Sequence, residues 1–177
     1  KYLNNLLIDN WGTNNYAIKW VGDPRKEPIK NNKVGYRVVR PKNHSNNDTA
    51  GPHVDSHFEK NLKVPAYYFL TLWTPLNEFS TKNGLQIYPK THLINHNIKL
   101  RDKNNTKVSP VLKKNYAKKF KHKKLLLKKG EVLIFHPNLI HGGGSGIGTN
   151  TRLSVEFRLF DKKRFLLYKK SILSKSD

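Results

Sequence analysis

The sequence predicts a mainly β domain, built as a sandwich or a closed double-sheet barrel with few short helices. The first observation is the segment at 152–160, RLSVEFRLF, in which polar and apolar residues alternate as far as Leu159. That alternation is typical of a strand with one buried face. The second observation is that short strand-like segments recur between Gly, Pro and Asn turns, with little helical periodicity among them.

The strands before residue 90 are predicted from β-branched and aromatic residues that lie between turn signals. The segment at 34–41, VGYRVVRP, predicts a strand that its proline ends. The segment at 64–76, VPAYYFLTLWTPL, predicts a buried strand. The turn at 77–84 ends in Asn83-Gly84, a strong hairpin signal, so we expect LQIYP at 85–89 to be the returning strand.

The second half of the chain contains one long polar stretch. The segment at 95–129 is densely basic and predicts a solvated insertion with a short helix near 112–121. The segment at 125–137, LLLKKGEVLIFHP, predicts a strand, a Lys-Gly-Glu turn and a second strand. The glycine-rich stretch at 141–151 predicts a loop, and the tail at 161–177 predicts a helix or a final strand.

Length and composition limit the class of protein. The 177 residues predict a single domain over 1–177, long enough to bury one sizeable core. The chain has no cysteine, which excludes disulfides, thiolate metal ligands and thiol nucleophiles. Neither a membrane-spanning run nor a signal-peptide pattern is found, so a cytoplasmic location is expected. The start at Lys1 instead of Met is consistent with an amino-terminally truncated chain.

The chain is strongly basic, with 34 Lys and Arg against 12 Asp and Glu and a formal net charge of +22. A field of this sign attracts anionic substrates, phosphates or nucleic acid. Lysine outnumbers arginine and asparagine is abundant. Lysine and asparagine have A/T-rich codons, so genome composition explains the charge equally well.

Two residues near the middle of the chain carry the first chemical signal. His53 and Asp55 are two positions apart, and in a strand such residues share a face. His141 is the best third ligand, because it follows a predicted strand and precedes the glycine-rich loop. Two histidines and one carboxylate with open positions form the facial triad of non-haem Fe(II) oxygenases. Zinc hydrolases use the same donors, so the metal stays open at this point.

A candidate anion-binding pair follows the distal histidine. Arg152 lies 11 residues after His141, and Ser154 follows on the same face of the predicted strand. An arginine fork with a nearby hydroxyl suits a carboxylate. A dicarboxylate that chelates iron at one end and contacts arginine at the other is 2-oxoglutarate.

These motifs together resemble the phytanoyl-CoA dioxygenase-like branch of the Fe(II)/2-oxoglutarate oxygenases. The resemblance rests on His-x-Asp, the distal histidine and the arginine after it. It also includes LWTPLNEFSTKNGLQIYPKTH at 72–92 and KKGEVLIFHPNLIHGGG at 128–144, and it covers roughly 34–160. Lys90 stands where the family usually has glycine. The resemblance implies a double-stranded β-helix, also called a jelly roll or cupin-like fold.

The resemblance also implies roles for individual residues. Fe(II) would be ligated by His53, Asp55 and His141. Arg152 would bind the distal carboxylate of 2-oxoglutarate with the help of Ser154, and Trp73 would line the co-substrate pocket. The implied reaction uses O₂ to convert 2-oxoglutarate to succinate and CO₂ while a small-molecule or carrier-linked substrate is oxidised. Related halogenases have a small residue in place of this aspartate, so Asp55 favours hydroxylation.

The remaining histidines receive weaker interpretations. His57 is an alternative ligand, less well matched than Asp55 and its partners. His92 and His136 are expected to be structural. His44, His96 and His122 lie in polar loops, where we expect them to be solvated.

Two other functions remain open from the sequence. Arg158 follows Arg152 by six, a spacing that resembles the nucleic-acid dealkylating dioxygenases, and the positive charge would suit such a substrate. Tyr67, Tyr68 and Trp73 could then stack on a flipped base. The third alternative is a non-catalytic jelly-roll module that binds glycans or RNA. One of Arg37 and Arg40 is expected to face the pocket and contact an anionic substrate group. The oligomeric state cannot be predicted from the sequence.

Overall fold

The fold is taken from a computed structural model of the chain. It describes residues 16–19, 35–41, 48, 51–56, 69–96, 98–99, 111–112, 115–143 and 149–161. Among them no helix combines the length and apolar character needed to cross a bilayer.

Nearly all of the regular structure in the described residues is β. The strands are β1 (Tyr16–Lys19), β2 (Gly35–Val39), β3 (Phe69–Pro75), β4 (Leu85–Ile87), β5 (Ile98–Lys99), β6 (Val111–Leu112), β7 (Lys123–Leu125), β8 (Leu133–Phe135), β9 (His141–Gly142) and β10 (Arg152–Asp161). Single turns of 3₁₀ helix lie at Thr81–Asn83, Thr91–Leu93 and Tyr116–Lys119.

The described strands form antiparallel sheets. The largest sheet has the order β1-β10-β3-β8, and β2 also pairs with β10. A second sheet has the order β7-β4-β9, and β5 pairs with β6. The long strand β10 organises the large sheet, because it pairs with β3 along seven residues, from Ser154 opposite Pro75 to Phe160 opposite Phe69.

The core that joins the two larger sheets lies between β3, β4 and β8. Trp73 from β3, Leu85 from β4 and Phe135 from β8 pack together with Phe79 and Leu139. Because this cluster draws on both sheets, the sheets pack through it in the manner of a jelly roll. The predicted mainly β fold class is confirmed.

Most strand predictions hold where the structure describes them, but the strand expected to begin 125–137 is β7 at Lys123–Leu125, and the predicted loop at 141–151 begins with β9. β10 confirms the alternating segment at 152–160, and β2 confirms the strand within 34–41. β3 confirms the described part of the segment at 64–76. The predicted Lys-Gly-Glu turn is also present, with Gly130 at a φ of 91°.

The predicted hairpin between β3 and β4 is wrong. β3 pairs with β10 and β8, whereas β4 pairs with β7 and β9 in the other sheet. A two-residue Asn-Gly hairpin turn needs positive φ at both central residues. Neither Asn83 nor Gly84 has positive φ, and Asn83 ends a 3₁₀ turn. The chain therefore crosses between the sheets here.

The prediction of a solvated insertion at 95–129 is only partly correct. The described lysines from 118 to 129 are exposed, but Leu112 and Ala117 are buried. They pack with Val54, Tyr88 and Ile140 in a second core cluster. Sequence analysis missed this because two apolar residues among many lysines give no clear period. In place of a helix near 112–121 the structure has the single 3₁₀ turn at Tyr116–Lys119.

Several predictions fall on residues that the structure does not describe. They concern His44, His57, Tyr67, Tyr68, the middle of the glycine-rich loop and the tail after Asp161. The single domain over 1–177 also stays a prediction.

Candidate metal centre

The two predicted histidine ligands are joined through their backbones. His53 donates its N–H to the His141 carbonyl at 2.8 Å, and His141 donates back at 2.9 Å. This isolated bridge brings the imidazole centroids to 4.4 Å. At Gly142 an added Cβ would lie 3.2 Å from the backbone of Gly51 and Pro52. The bridge therefore depends on a close approach of two backbones.

Asp55, the third candidate metal ligand, lies in a turn. The His-x-Asp spacing was interpreted as a strand, but Asp55 and Ser56 lie in a turn. Both donate their backbone N–H groups to the Pro137 carbonyl. Asp55 Oδ1 lies 3.9 Å from His53 Nε2 and 3.8 Å from His141 Nε2. The three ligand atoms lie within 4.8 Å of one another. The structure thus brings the predicted ligands together.

The histidine tautomers suit a metal. His53 Nδ1 lies 2.8 Å from the Gly51 carbonyl, and His141 Nδ1 lies 3.0 Å from the Leu139 carbonyl. A carbonyl oxygen only accepts, so Nδ1 carries the hydrogen and the neutral ring has its lone pair on Nε2. His141 Nε2 is buried and has no hydrogen-bond partner in the described part of the chain. The donor set therefore fits a divalent transition metal.

The Asp55 carboxylate is deeply buried and ionised. Burial by itself raises the pKa of Asp55, but the charge of the nearby Arg158, and then the adjacent imidazoles of His141 and His53, outweigh it and hold the pKa below its usual range. A hydrogen bond from Thr71 Oγ1 to Oδ2, 2.6 Å long, acts in the same direction. An ionised oxygen is the form that a metal requires.

Arg152 and Ser154 lie beside the triad on the inward face of β10. Both side chains are buried, and Arg152 Nη1 donates to the Asn83 carbonyl. Arg152 Nε and Ser154 Oγ have no hydrogen-bond partner among the described residues. The guanidinium carbon lies 5.4 Å from the Trp73 ring centroid. Buried donors without acceptors predict an anionic ligand at this place.

The Arg152 guanidinium stays charged near neutral pH. Burial and then the nearby charge of Arg37 lower its pKa to about 10. A pKa of this value leaves the group protonated at pH 7. Arg152 therefore remains able to pair with a carboxylate under ordinary conditions.

The two triad histidines and Arg152 open onto one cleft. It encloses about 350 Å³, part of which is open to solvent. Its lining includes His53, Trp73, His141 and Arg152. Arg37 also lines the cleft, whereas Arg40 is bound by Asp48 through two contacts of 2.8 Å.

Arg158, noted in the sequence only for its spacing from Arg152, contacts the triad, as does Thr71, which the sequence did not single out. Arg158 is almost completely buried; its Nη2 lies 3.0 Å from Asp55 Oδ1, and its Nη1 lies 2.7 Å from Glu156 Oε1. An arginine held in this way gives no support to contact with nucleic acid. The available signal was strand parity, since Arg152, Ser154, Glu156 and Arg158 alternate along one face of β10.

The other described histidines lie outside the metal centre. His96 is buried, with its ring between Tyr116 Oη and the Asn138 carbonyl, so the expectation that it is solvated is wrong. His122 is exposed as expected. His136 accepts a hydrogen bond from the Asn138 backbone, in agreement with a structural role. The ring of His92 packs against the ring of His136.

Comparison with known families decides the classification. The sequence model of the family described as phytanoyl-CoA dioxygenase (PhyH) matches residues 2–154, most of the chain. The chain belongs to the PhyH family. The resemblance drawn from the sequence motifs is thereby confirmed. No curated protein matches the chain at a significant level.

Solved structures share the PhyH-type fold at low identity. EvdO2 from Micromonospora carbonacea var. aurantiaca, complexed with 2-oxoglutarate, is 11% identical with a TM-score of 0.61; the match covers 90% of this chain and 57% of that one. The epimerase SnoN, in complex with Fe3+, alpha-ketoglutarate and nogalamycin RO, is 17% identical with a TM-score of 0.52. That match covers 73% of this chain and 48% of the SnoN chain. The chain thus spans about half the length of these structures.

Proposed function

We propose that this PhyH-family chain is an Fe(II)- and 2-oxoglutarate-dependent oxygenase that hydroxylates a small-molecule or carrier-linked substrate. The observation that carries the proposal is the convergence of His53, Asp55 and His141, with their three ligand atoms within 4.8 Å. Three donors on one side of a metal leave positions open for the co-substrate and O₂.

Each residue has a defined part in this proposal. His53 Nε2, His141 Nε2 and Asp55 Oδ1 would hold Fe(II). Arg152 and Ser154 would bind the distal carboxylate of 2-oxoglutarate, because both offer buried donors without a described acceptor. Trp73 would form a wall of that pocket. Bound iron would supply the O₂-dependent conversion of 2-oxoglutarate to succinate and CO₂ that is coupled to substrate oxidation.

The structural relatives support the co-substrate more than the reaction outcome. EvdO2 was solved with 2-oxoglutarate, and SnoN with Fe3+ and alpha-ketoglutarate. SnoN is described as an epimerase, and one fold can support several outcomes. Hydroxylation is our choice because Asp55 keeps a carboxylate where halogenases have a small residue. No described contact favours nucleic acid or a non-catalytic module.

The iron site is tested by anaerobic titration with Fe(II) and 2-oxoglutarate, followed through the weak visible charge-transfer band of the chelate. We expect the band in the unaltered protein and its loss in His53→Ala. His122→Ala is the matched control, because this histidine is exposed and lies outside the triad. An equal band in His53→Ala would overturn the proposal. Succinate release against a metabolite panel, with mass analysis of products, then identifies the reaction.

We further infer that the substrate carries an anionic group that contacts Arg37. Arg37 lies opposite Ser154 in the β2–β10 pairing, so both side chains lie on one face of the sheet. It lines the cleft with the triad histidines and has no ion-pair partner among the described residues. Its neighbour Arg40 is already paired with Asp48.

Arg37→Gln tests this inference once a substrate is found. We expect KM for an anionic substrate to rise about tenfold, the order of one charge-assisted hydrogen bond, while KM for 2-oxoglutarate stays unchanged. Arg40→Gln is the control, because it removes the same charge from a position that Asp48 already neutralises. Equal effects of the two substitutions would indicate general charge attraction and contradict a specific contact.

A further inference from the structure

We propose that Thr71 and Arg158 are positioning residues that hold the Asp55 carboxylate with Oδ1 turned toward both histidines. The inference rests on the metal site of the proposed function. It adds that the site is built before the metal arrives, and that Asp55 offers one oxygen.

The two Asp55 oxygens have different partners. Thr71 Oγ1 donates to Oδ2 at 2.6 Å, and Arg158 Nη2 lies 3.0 Å from Oδ1. The same Oδ1 lies 3.8 Å and 3.9 Å from the two imidazole Nε2 atoms. A carboxylate oxygen has two lone pairs, so Oδ1 can accept from Arg158 and still offer a lone pair to a metal.

The sheet register places both positioning residues. Thr71 on β3 lies directly opposite Arg158 on β10, and both are almost fully buried. Glu156, two residues before Arg158, contacts its Nη1 at 2.7 Å. The arginine fork is thus held between Glu156 and Asp55, and its rigid geometry orients the carboxylate. The backbone contact from Asp55 to Pro137 fixes the other end of that residue.

Using a single oxygen of Asp55 matters for the chemistry. Two histidines and one carboxylate oxygen occupy three positions on the metal, and the open positions must accept both 2-oxoglutarate and O₂. The hydrogen bond from Thr71 anchors Oδ2 to β3, so that Oδ1 is the oxygen presented to both histidines. Arg158, 3.0 Å from Oδ1, balances the buried negative charge.

Cobalt(II) binding without 2-oxoglutarate tests the inference directly. Co(II) reports the number and kind of its ligands through its visible absorption spectrum. We expect Thr71→Val, which keeps the side-chain shape but loses the hydroxyl, to raise the Co(II) dissociation constant about 10–100-fold. We expect its spectrum to change as well, because the Asp55 carboxylate is then no longer anchored through Oδ2. Thr71→Ser restores the hydroxyl and should recover both readouts.

Thr74→Val is the matched control on the same strand. This substitution also removes a hydroxyl hydrogen bond, the one that Thr74 donates to the Glu131 carbonyl at 2.8 Å. Thr74 does not contact Asp55. Arg158→Lys is the second variant, since it keeps the charge but cannot span Asp55 and Glu156. We expect a weaker Co(II) complex with an altered spectrum, measured on protein shown by thermal unfolding to be folded.

The outcomes separate this inference from the metal site itself. Co(II) binding equal to that of the unaltered protein in both Thr71→Val and Arg158→Lys, with unchanged spectra, would overturn the positioning role while the metal site stands. Binding that is lost in His53→Ala and weakened in Thr71→Val, but not in Thr74→Val, supports both. An unaltered protein that binds no Co(II) would overturn the metal site and this inference together.

Discussion

Arg152 shows how one residue combines two opposing requirements. Its side chain is buried beside the triad, and burial lowers its pKa to about 10. A buried guanidinium is costly unless paired, yet only one of its donors, Nη1, has a described acceptor, the Asn83 carbonyl. The residue therefore has buried donors available for an anionic ligand, which we propose is the distal carboxylate of 2-oxoglutarate.

At the residue scale we predict that Arg152→Lys raises the 2-oxoglutarate dissociation constant by about tenfold or more. Lysine keeps the charge but loses the planar fork that pairs with two carboxylate oxygens. The measurement is a 2-oxoglutarate titration of the anaerobic Fe(II) protein. Arg40→Lys, on an exposed arginine at the end of β2, is the control. If both variants bind 2-oxoglutarate equally, Arg152 does not hold the carboxylate.

At the element scale the site depends on the contact between β9 and the segment at 51–53. The reciprocal hydrogen bonds of His53 and His141 join these two backbones. Gly142 allows the approach, because any Cβ there would lie 3.2 Å from backbone atoms of Gly51 and Pro52. Backbone atoms cannot move aside as cheaply as the end of a flexible side chain.

We predict that Gly142→Ala lowers the free energy of unfolding by about 1–3 kcal/mol, the usual cost of overpacking. It should also weaken metal binding, since the backbone shift separates His53 from His141. Thermal unfolding and Co(II) titration measure the two effects. Gly51→Ala is the control, because a Cβ at Gly51 has nothing within 4 Å. Equal stability of Gly142→Ala and the unaltered protein would contradict the steric argument.

At the scale of the whole molecule the excess positive charge is the main electrostatic feature. A formal net charge of +22 on 177 residues causes self-repulsion in the compact state. The Arg40–Asp48 ion pair, whose arginine is exposed, contributes little to stability. Because 34 Lys and Arg face only 12 Asp and Glu, we expect repulsion between surface lysines to outweigh the attraction within surface ion pairs.

We predict that Tm rises as NaCl increases from about 0.01 M to 1 M, which shortens the Debye length from about 30 Å to about 3 Å. Each kcal/mol gained corresponds to about 2–4 °C for a chain of this size. Differential scanning calorimetry of the metal-free protein measures the shift, and KCl should act like NaCl. A flat or falling Tm would show that attractive pairs balance the repulsion.

The sequence by itself determined the fold class, the family and the candidate ligands. Alternation along 152–160 encodes a half-buried strand locally, and His53, Asp55, His141 and Arg152 are recognisable by type and spacing. The family was recognisable because several specific motifs occur in one order.

Only the tertiary structure decided which strands pair and which groups support the ligands. Asn83-Gly84 was expected to form a hairpin, but β3 and β4 belong to different sheets, and local turn signals do not encode strand partners. Thr71 and Arg158 are far apart in the chain, and the β3–β10 register brings them together at Asp55. The positioning role that we propose for them depends on long-range backbone pairing, which local periodicity does not contain.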